Sequence, residues 1–257
     1  MTNEQYIEAI KKRHSRRAFK PKHLADDVKD VIKQMVDVVN ESAGLDFVFV
    51  DDATPFFKIF SGKFSMIIVA GPDSQKARED CGYYGESIVL QCVYHGLGTC
   101  WVSGTYNENK VYESFDFPSE KRVYAVIAIG YARDRYSIVE KSMYSATHKK
   151  SKSYQDMIEV CDEKLPEAYS YGLKLVEKGP SAVNRRPVKF RYENGIFSAY
   201  VDEPYSDKSI DFGIAKLHFV IGTRAKGING KWSLENVFEV SEPQRLKFEP
   251  KENNDEK

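Results

Sequence analysis

Arg13-His14-Ser15-Arg16-Arg17-Ala18-Phe19 stands where one pattern gives way to another, and its flanks decide how it is read. Upstream, Thr2 and Gln5 form a T-x-x-Q capping box, and Tyr6, Ile7 and Ile10 recur at helical spacing. The quoted stretch therefore begins at a helix end, inside a basic segment spanning 11–22. Downstream, Val28, Val31, Ile32, Met35, Val36 and Val39 make the apolar stripe of a second helix. Alternating cations around a hydroxyl can hold a phosphate, or another polyanionic edge, from several directions. Taken alone, a solvated basic turn is the commoner meaning of such a segment.

Further along, 45–50 and 65–70 read as buried strands, and a long helix lies between Ser74, a good N-cap, and Gly96, a good C′ glycine. Residues 99–102 read as extended, and 123–130 has the near-continuous apolar character of a central strand. Residues 133–153 are polar, basic and aperiodic, which predicts a connection rather than a core element. A fresh pattern follows: a helix over 166–178, a loop over 179–186, and strands over 187–192 and 196–201 around the turn Asn194-Gly195. A helix over 207–224 and a strand over 231–240 complete it, and the tail 246–257 is expected to be disordered. Both patterns hold a long helix with a glycine, Gly85 and Gly213, and then a strand with a tryptophan, Trp101 and Trp232. This is a weak internal repeat; a pseudo-twofold pair of halves explains it, and so does chance.

Composition narrows the classes. The 257 residues are 42% hydrophobic and 30% charged, enough for a packed core. Thirty-eight basic residues balance 38 acidic ones, which argues against a nucleic-acid coat or a polybasic membrane binder. The four cysteines show no C-x-x-C spacing and read as reduced thiols of a cytoplasmic protein. The N-terminus has no apolar signal core and no apolar run exceeds strand length, so neither secretion nor a membrane span is expected. Gly96-Leu97-Gly98 does not continue into G-x-G-x-x-G, and no Walker A, H-E-x-x-H or G-x-S-x-G pattern occurs. The five histidines keep no metal-ligand spacing, so no metal site is expected.

Two more segments bear on chemistry. Gly96-Leu97-Gly98-Thr99-Cys100-Trp101-Val102-Ser103-Gly104 ends a strand on a glycine whose backbone a ligand can approach closely. Gly179-Pro180-Ser181-Ala182-Val183-Asn184-Arg185-Arg186-Pro187 joins a helix to a strand, and its small residues and Asn suit a flat ring with a polar edge. Taken alone, each is more often a helix cap followed by an ordinary strand end or turn. Tyr83, Tyr84 and His95 on the long helix are, at that spacing, more often packing or surface residues than substrate contacts.

In combination the R-x-S-x-R, S-G and P-S-A-x-N segments resemble the FMN-dependent nitroreductase family, in particular its single-chain thermophile branch, over roughly residues 1–225. The resemblance implies an α+β fold of mixed, mainly antiparallel sheets flanked by helices, with two pseudo-symmetric halves, 1–153 and 154–245, mimicking a nitroreductase dimer. It implies FMN between the halves. Arg13, Ser15 and Arg17 would hold phosphate and ribityl chain with His14 packed beside them, and Ser103 and Gly104 would present amides near flavin N5 and O4. Pro180, Ser181, Ala182 and Asn184 would meet the ring from the other side, and Lys150 and Lys152 match a second phosphate-binding pair only loosely. Each motif occurs once, which implies one intramolecular site; 40–44, where a second P-S-x-x-N would fall, lacks the proline. The activity implied is hydride transfer from NADH or NADPH to a nitroaromatic, quinone or similar small molecule by a monomer, with further association left open. Partners among nucleic acids or membranes are not expected, and no side chain is assigned as catalytic. Asn184-Arg185-Arg186-Pro187-Val188 departs from the family's N-x-Q-P-W: Arg186 either charges the pocket or points to solvent, and Val188 removes a packing group. That departure keeps a rival reading open, a flavin carrier, sensor or regulatory module without reductase turnover. A nucleic-acid binder working through 11–22 ranks last, because it leaves the P-S-A-x-N segment without a role.

Overall fold

The computed structural model describes residues 1–148 and 151–241. In chain order the elements are α1 Asn3–Lys12, α2 Asp26–Ala43, β1 Val48–Val50, β2 Ser65–Pro72, α3 Gln75–Tyr94, β3 Gly98–Val102, α4 Glu108–Ser114 and β4 Lys121–Gly130. Then come α5 Ile138–His148, β5 Ile158–Cys161, α6 Glu167–Val176, β6 Lys189–Glu193, β7 Ile196–Tyr200, α7 Lys208–Ala225, β8 Gly230–Trp232 and β9 Phe238–Val240. The first sheet runs β1-β2-β4-β3 and is antiparallel throughout. The second runs β5-β6-β7, with β5 parallel to β6, and β8-β9 form a separate hairpin. The class is α+β, as the resemblance implied.

Strand periodicity builds the first half. Ile67 and Val69 of β2 and Ala125, Ile127 and Ile129 of β4 pack toward α1, α2 and α3. Their alternates Met66, Ile68, Ala70, Val126 and Ala128 pack against Phe19, Phe56 and Phe64 on the opposite face. With both faces covered, the strands read as continuous apolar runs rather than alternating ones.

Helix α7 ties the halves together. Ile210, Ile214, Leu217 and Ile221 enter the core of the first half, while Phe212, Ala215, Phe219 and Val220 enter the core of the second with Tyr169, Phe190 and Phe197. A helix apolar on all sides must be surrounded, and α7 is. Its crossing with α3 is closer than side chains permit. A Cβ on Gly82 would strike the Ile210 carbonyl, and one on Gly213 would strike the Glu79 carbonyl. On its other side, Gly222 sits against Gly172 of α6, where an added Cβ would lie 2.5 Å from the Gly172 Cα.

The Gly82–Gly213 contact is reciprocal, and it corrects the glycine pairing read from the sequence. Gly85 lies in mid-helix, where an added Cβ would meet the Trp101 ring; α3 is entered through Ser74, whose Oγ accepts from the Ala77 N–H. Gly82 and Gly213, Gly96 and Gly227 (φ 82° and 78°), Trp101 and Trp232, and the first residues of β2 and β7 are each separated by 131 residues.

Other expectations need correcting. Residues 133–153, read as a connection, contain α5. Its apolar side chains do not face a core, Ile138 being 86% exposed, so no stripe marks it. The strand expected over 231–240 is the β8-β9 hairpin, turning at Asn236 with φ 62°. Only Val48–Val50 of the segment 45–50 is strand, and α4 and β5 carried no recognised signal. Residues 40–44 are the last turn of α2 and its Gly44 cap, not a loop. The tail 246–257 lies outside the described residues. Among the described residues no helix is long and apolar enough to cross a membrane.

Substituting Gly213→Ala should lower stability by about 2–3 kcal/mol through overpacking, read as a lower urea midpoint at unchanged slope. Gly104→Ala, whose Cβ meets nothing within 4 Å, should change it by less than about 0.5 kcal/mol.

Candidate functional site

The R-x-S-x-R segment leaves α1 at Arg13, whose backbone turns extended while its N–H still bonds to the Ala9 carbonyl at 2.8 Å. Ser15 then forms a parallel bridge to Thr99, and the Arg16 N–H donates to the Thr99 carbonyl at 2.8 Å. The loop is thereby laid along β3, the strand that ends at Ser103 and Gly104. Ser103 and Gly104 are exposed, and the space beside the Gly104 Cα is open. His14 meets the Tyr136 ring edge to face at 6.1 Å, and desolvation, with the Arg13 and Arg16 charges behind it, lowers its pKa.

What holds this loop is Glu140 of α5. It is 3% exposed, and Oε1 accepts from the Arg17 N–H at 2.8 Å, the Ala18 N–H at 3.3 Å and Arg16 Nε at 3.1 Å. Oε2 accepts from the Ser137 N–H at 2.7 Å. Burial by itself would raise this carboxyl; the N–H groups of Arg17 and Ser137 and the Arg16 guanidinium outweigh it and hold the pKa down to about 2. The other end of α5 meets the second loop: Asn184 Nδ2 donates to the Thr147 carbonyl at 3.3 Å and to Ser151 Oγ at 2.6 Å.

The P-S-A-x-N loop is a strained turn. Val183, Asn184 and Arg186 all have positive φ, at 47°, 57° and 45°. For a β-branched valine, 73% exposed, that conformation is an outlier that the surroundings must impose. The imposing contacts are from Asp211 of α7, which accepts from the Ala182 N–H at 3.0 Å and from Arg185 Nε and Nη2 at 3.2 and 3.1 Å. Burial pushes the Asp211 carboxyl up to about 7 against the pull of these donors. Ser181 Oγ accepts from the Arg186 N–H at 3.0 Å, closing the turn behind Pro180.

The two loops share a root at the α3–α7 seam. Arg13 Nε lies 4.0 Å from Glu86 Oε1, is buried, and has no hydrogen-bond partner. Glu86 Oε1 lies 3.0 Å from His218 Nε2, and its Oε2 accepts from Trp101 Nε1 at 2.8 Å. His218 Nδ1 is 2.9 Å from the Leu175 carbonyl, and an added Cβ on Gly179 would touch the same ring. A carbonyl only accepts, so Nδ1 is the donor in that contact, and Nε2 faces Glu86. Arg13, Glu86 and His218 thus form a buried polar cluster at the start of the first loop, and Gly179, at the start of the second, packs beside the His218 ring.

The structure thus brings Arg13, Ser15 and Arg17 alongside the strand leading to Ser103 and Gly104, and roots Pro180, Ser181, Ala182 and Asn184 across the seam. Lys152 Nζ donates to the Arg186 carbonyl at 3.4 Å, and Lys150 lies outside the described residues. The Arg186 guanidinium bonds the Lys152 carbonyl, and Val188 is buried in the second core. His95 is an exposed helix cap. Glu86, Glu140, Asp211 and His218 were missed. Lys216 and His218 inside the apolar run 210–223 were the available signal, because a charged group in a buried helix needs a partner.

A family model described as "Putative TM nitroreductase" matches residues 5–223. A solved structure from Thermotoga maritima MSB8, titled a "putative nitroreductase", is similar with TM-score 0.61 and 22% identity, covering 93% of this chain and 94% of that one. An FMN-dependent nitroreductase from Clostridium difficile R20291 aligns at TM-score 0.42 and 22% identity over 57% of this chain and 99% of its own. A nitroreductase family protein from Clostridium novyi NT aligns at TM-score 0.41 and 23% identity over 50% and 86%. No curated protein matches the chain.

Replacing Glu140→Gln should cost about 2–3 kcal/mol at pH 7 in urea unfolding, because buried N–H groups lose a charged acceptor. A carboxyl depressed in the folded state stabilises above its unfolded pKa and loses that contribution as pH falls toward the folded value. The gap to wild type should therefore narrow by about 1 kcal/mol between pH 7 and pH 3.5.

Proposed function

The chain belongs to the TM nitroreductase family, and on that premise we propose that this oxidoreductase binds one FMN between its halves and takes hydride from NADH or NADPH to a nitroaromatic, quinone or similar acceptor. The observation that carries the reading is the shared root of the two loops. Motifs separated by more than 160 residues both border one buried polar cluster, Arg13–Glu86–His218, with Gly179 packed beside the His218 ring.

The residues fit the group. A phosphate needs donors left free of hydrogen bonds within the protein, and Arg13 Nε is buried with no hydrogen-bond partner. In this reading Arg13, Ser15 and Arg17 hold the phosphate and ribityl chain, with His14 beside them. Ser103 and Gly104 present backbone donors to the polar edge of the ring, with open space at Gly104. Pro180, Ser181, Ala182 and Asn184 cover the opposite side, and Lys152 stays with Arg186 as a support of that loop. When bound, FMN supplies the hydride chemistry. The chain supplies binding, orientation and donors fixed in advance, which stabilise negative charge without reorganisation. No general acid is assigned to a side chain, and the halves 1–153 and 154–245 act as one unit because α7 belongs to both cores.

Freshly purified protein should show a flavin spectrum and release about one FMN per chain, and NADH or NADPH oxidation should require an added quinone or nitroaromatic. Arg17→Ala should weaken FMN binding at least about tenfold while leaving the unfolding midpoint nearly unchanged, the loss of one charge-assisted hydrogen bond. Colourless protein that fails to take up added FMN refutes the assignment.

A further inference from the structure

The seam has a second side. Between the N-terminal half of α3, the C-terminal half of α7 and the β8-β9 hairpin lies a groove of about 600 Å³, bounded by Tyr83, Tyr84, Lys216, Arg224, Lys231 and Trp232. That volume is in the range of small-molecule sites. Its position is not arbitrary in the chain. Ser233 and Leu234 follow Trp232 at the groove as Val102 and Ser103 follow Trp101, so the groove holds in the second repeat the place that the end of β3 holds in the first.

Its chemistry differs from that of the first site. At the floor, Lys216 is 8% exposed, donates to Glu79 and Asn236, and lies 4.2 Å over the Phe212 ring. Glu79 is thereby neutralised, while an ammonium with three donors keeps one uncommitted. At the rim, Lys76 is paired with Asp80. Arg224 and Lys231 have no ion pair among the described residues, so the groove carries two positive charges in excess of its acids. Tyr83 and Tyr84 meet edge to face at 5.4 Å beside these cations. Burial first, and the neighbouring Tyr84 after it, push the Tyr83 phenol up to about 12, so it stays a neutral aromatic surface.

We propose that this groove is a second ligand site, for a planar aromatic anion: a ring packed on Tyr83 and Tyr84 whose phosphate or carboxylate pairs with Arg224 and Lys231. A neutral ring lacks the charge partner, and a simple anion lacks the stacking surface. The proposal does not depend on the flavin reading.

Isothermal titration of the full chain with AMP, benzoate and adenosine tests it. AMP or benzoate should bind with Kd below about 1 mM, and adenosine at least about tenfold more weakly than AMP. The double substitution Arg224→Ala, Lys231→Ala should weaken binding at least about tenfold, both side chains being exposed and dispensable for folding. Binding of AMP alone assigns a phosphate ligand, and binding of benzoate alone assigns a carboxylate. No binding of either at about 5 mM, or binding that survives the double substitution, overturns the proposal.

Discussion

The fold depends on one close approach. Where α3 crosses α7, Gly82 faces the Ile210 carbonyl and Gly213 faces the Glu79 carbonyl, leaving no room for a side chain on either helix. Backbones this near bring the flanking residues into contact over the length of both helices, and α7 can then fill two cores at once. A third helix, α6, uses the same device at Gly172 and Gly222. Without these crossings the first sheet with its helices and the β5-β6-β7 sheet would have separate interiors, and nothing would set the distance between the two candidate loops.

Burying polar groups at such a seam is expensive unless they are paired. Two pairs lie there. Glu86 and His218 meet at 3.0 Å beside Arg13 and Gly179, and Glu79 and Lys216 line the groove on the other side. A well-packed apolar seam would be at least as stable, so the pairs are better understood by what they hold in place. The Glu79–Lys216 pair lines the groove that also holds Arg224 and Lys231, and each pair ties α3 to α7 in one register. The arrangement explains why α7, otherwise hydrophobic on all faces, carries Lys216 and His218.

Much of the architecture was legible in the sequence. The strands β2 and β4 announce themselves by apolar runs, α3 by Ser74 and Gly96, and the β6-β7 hairpin by Asn194-Gly195, which adopts φ of 52° and 76°. The segment around α5 was not legible, because a helix is found by its buried stripe and α5 has none. It is held by polar contacts made through Glu140 and Thr147 to residues 120 and more positions before, and 37 after. The same limit hid Asp211, which looks like any acidic residue in a first helical turn until the strained loop 182–186 is seen resting on it.

By itself the sequence determined the local elements and the kind of chemistry. Periodicity and caps follow from backbone geometry that operates over a few residues, and R-x-S-x-R, S-G and P-S-A-x-N name the residue types that chemistry needs. Only the tertiary structure decided which residues lie beside them. It paired Gly82, not Gly85, with Gly213, turned Lys152 toward Arg186, and placed Glu86, Glu140 and His218 behind the loops. The physical reason is that a buried charge or a missing Cβ takes its meaning from a partner distant in the chain, and only packing brings that partner near.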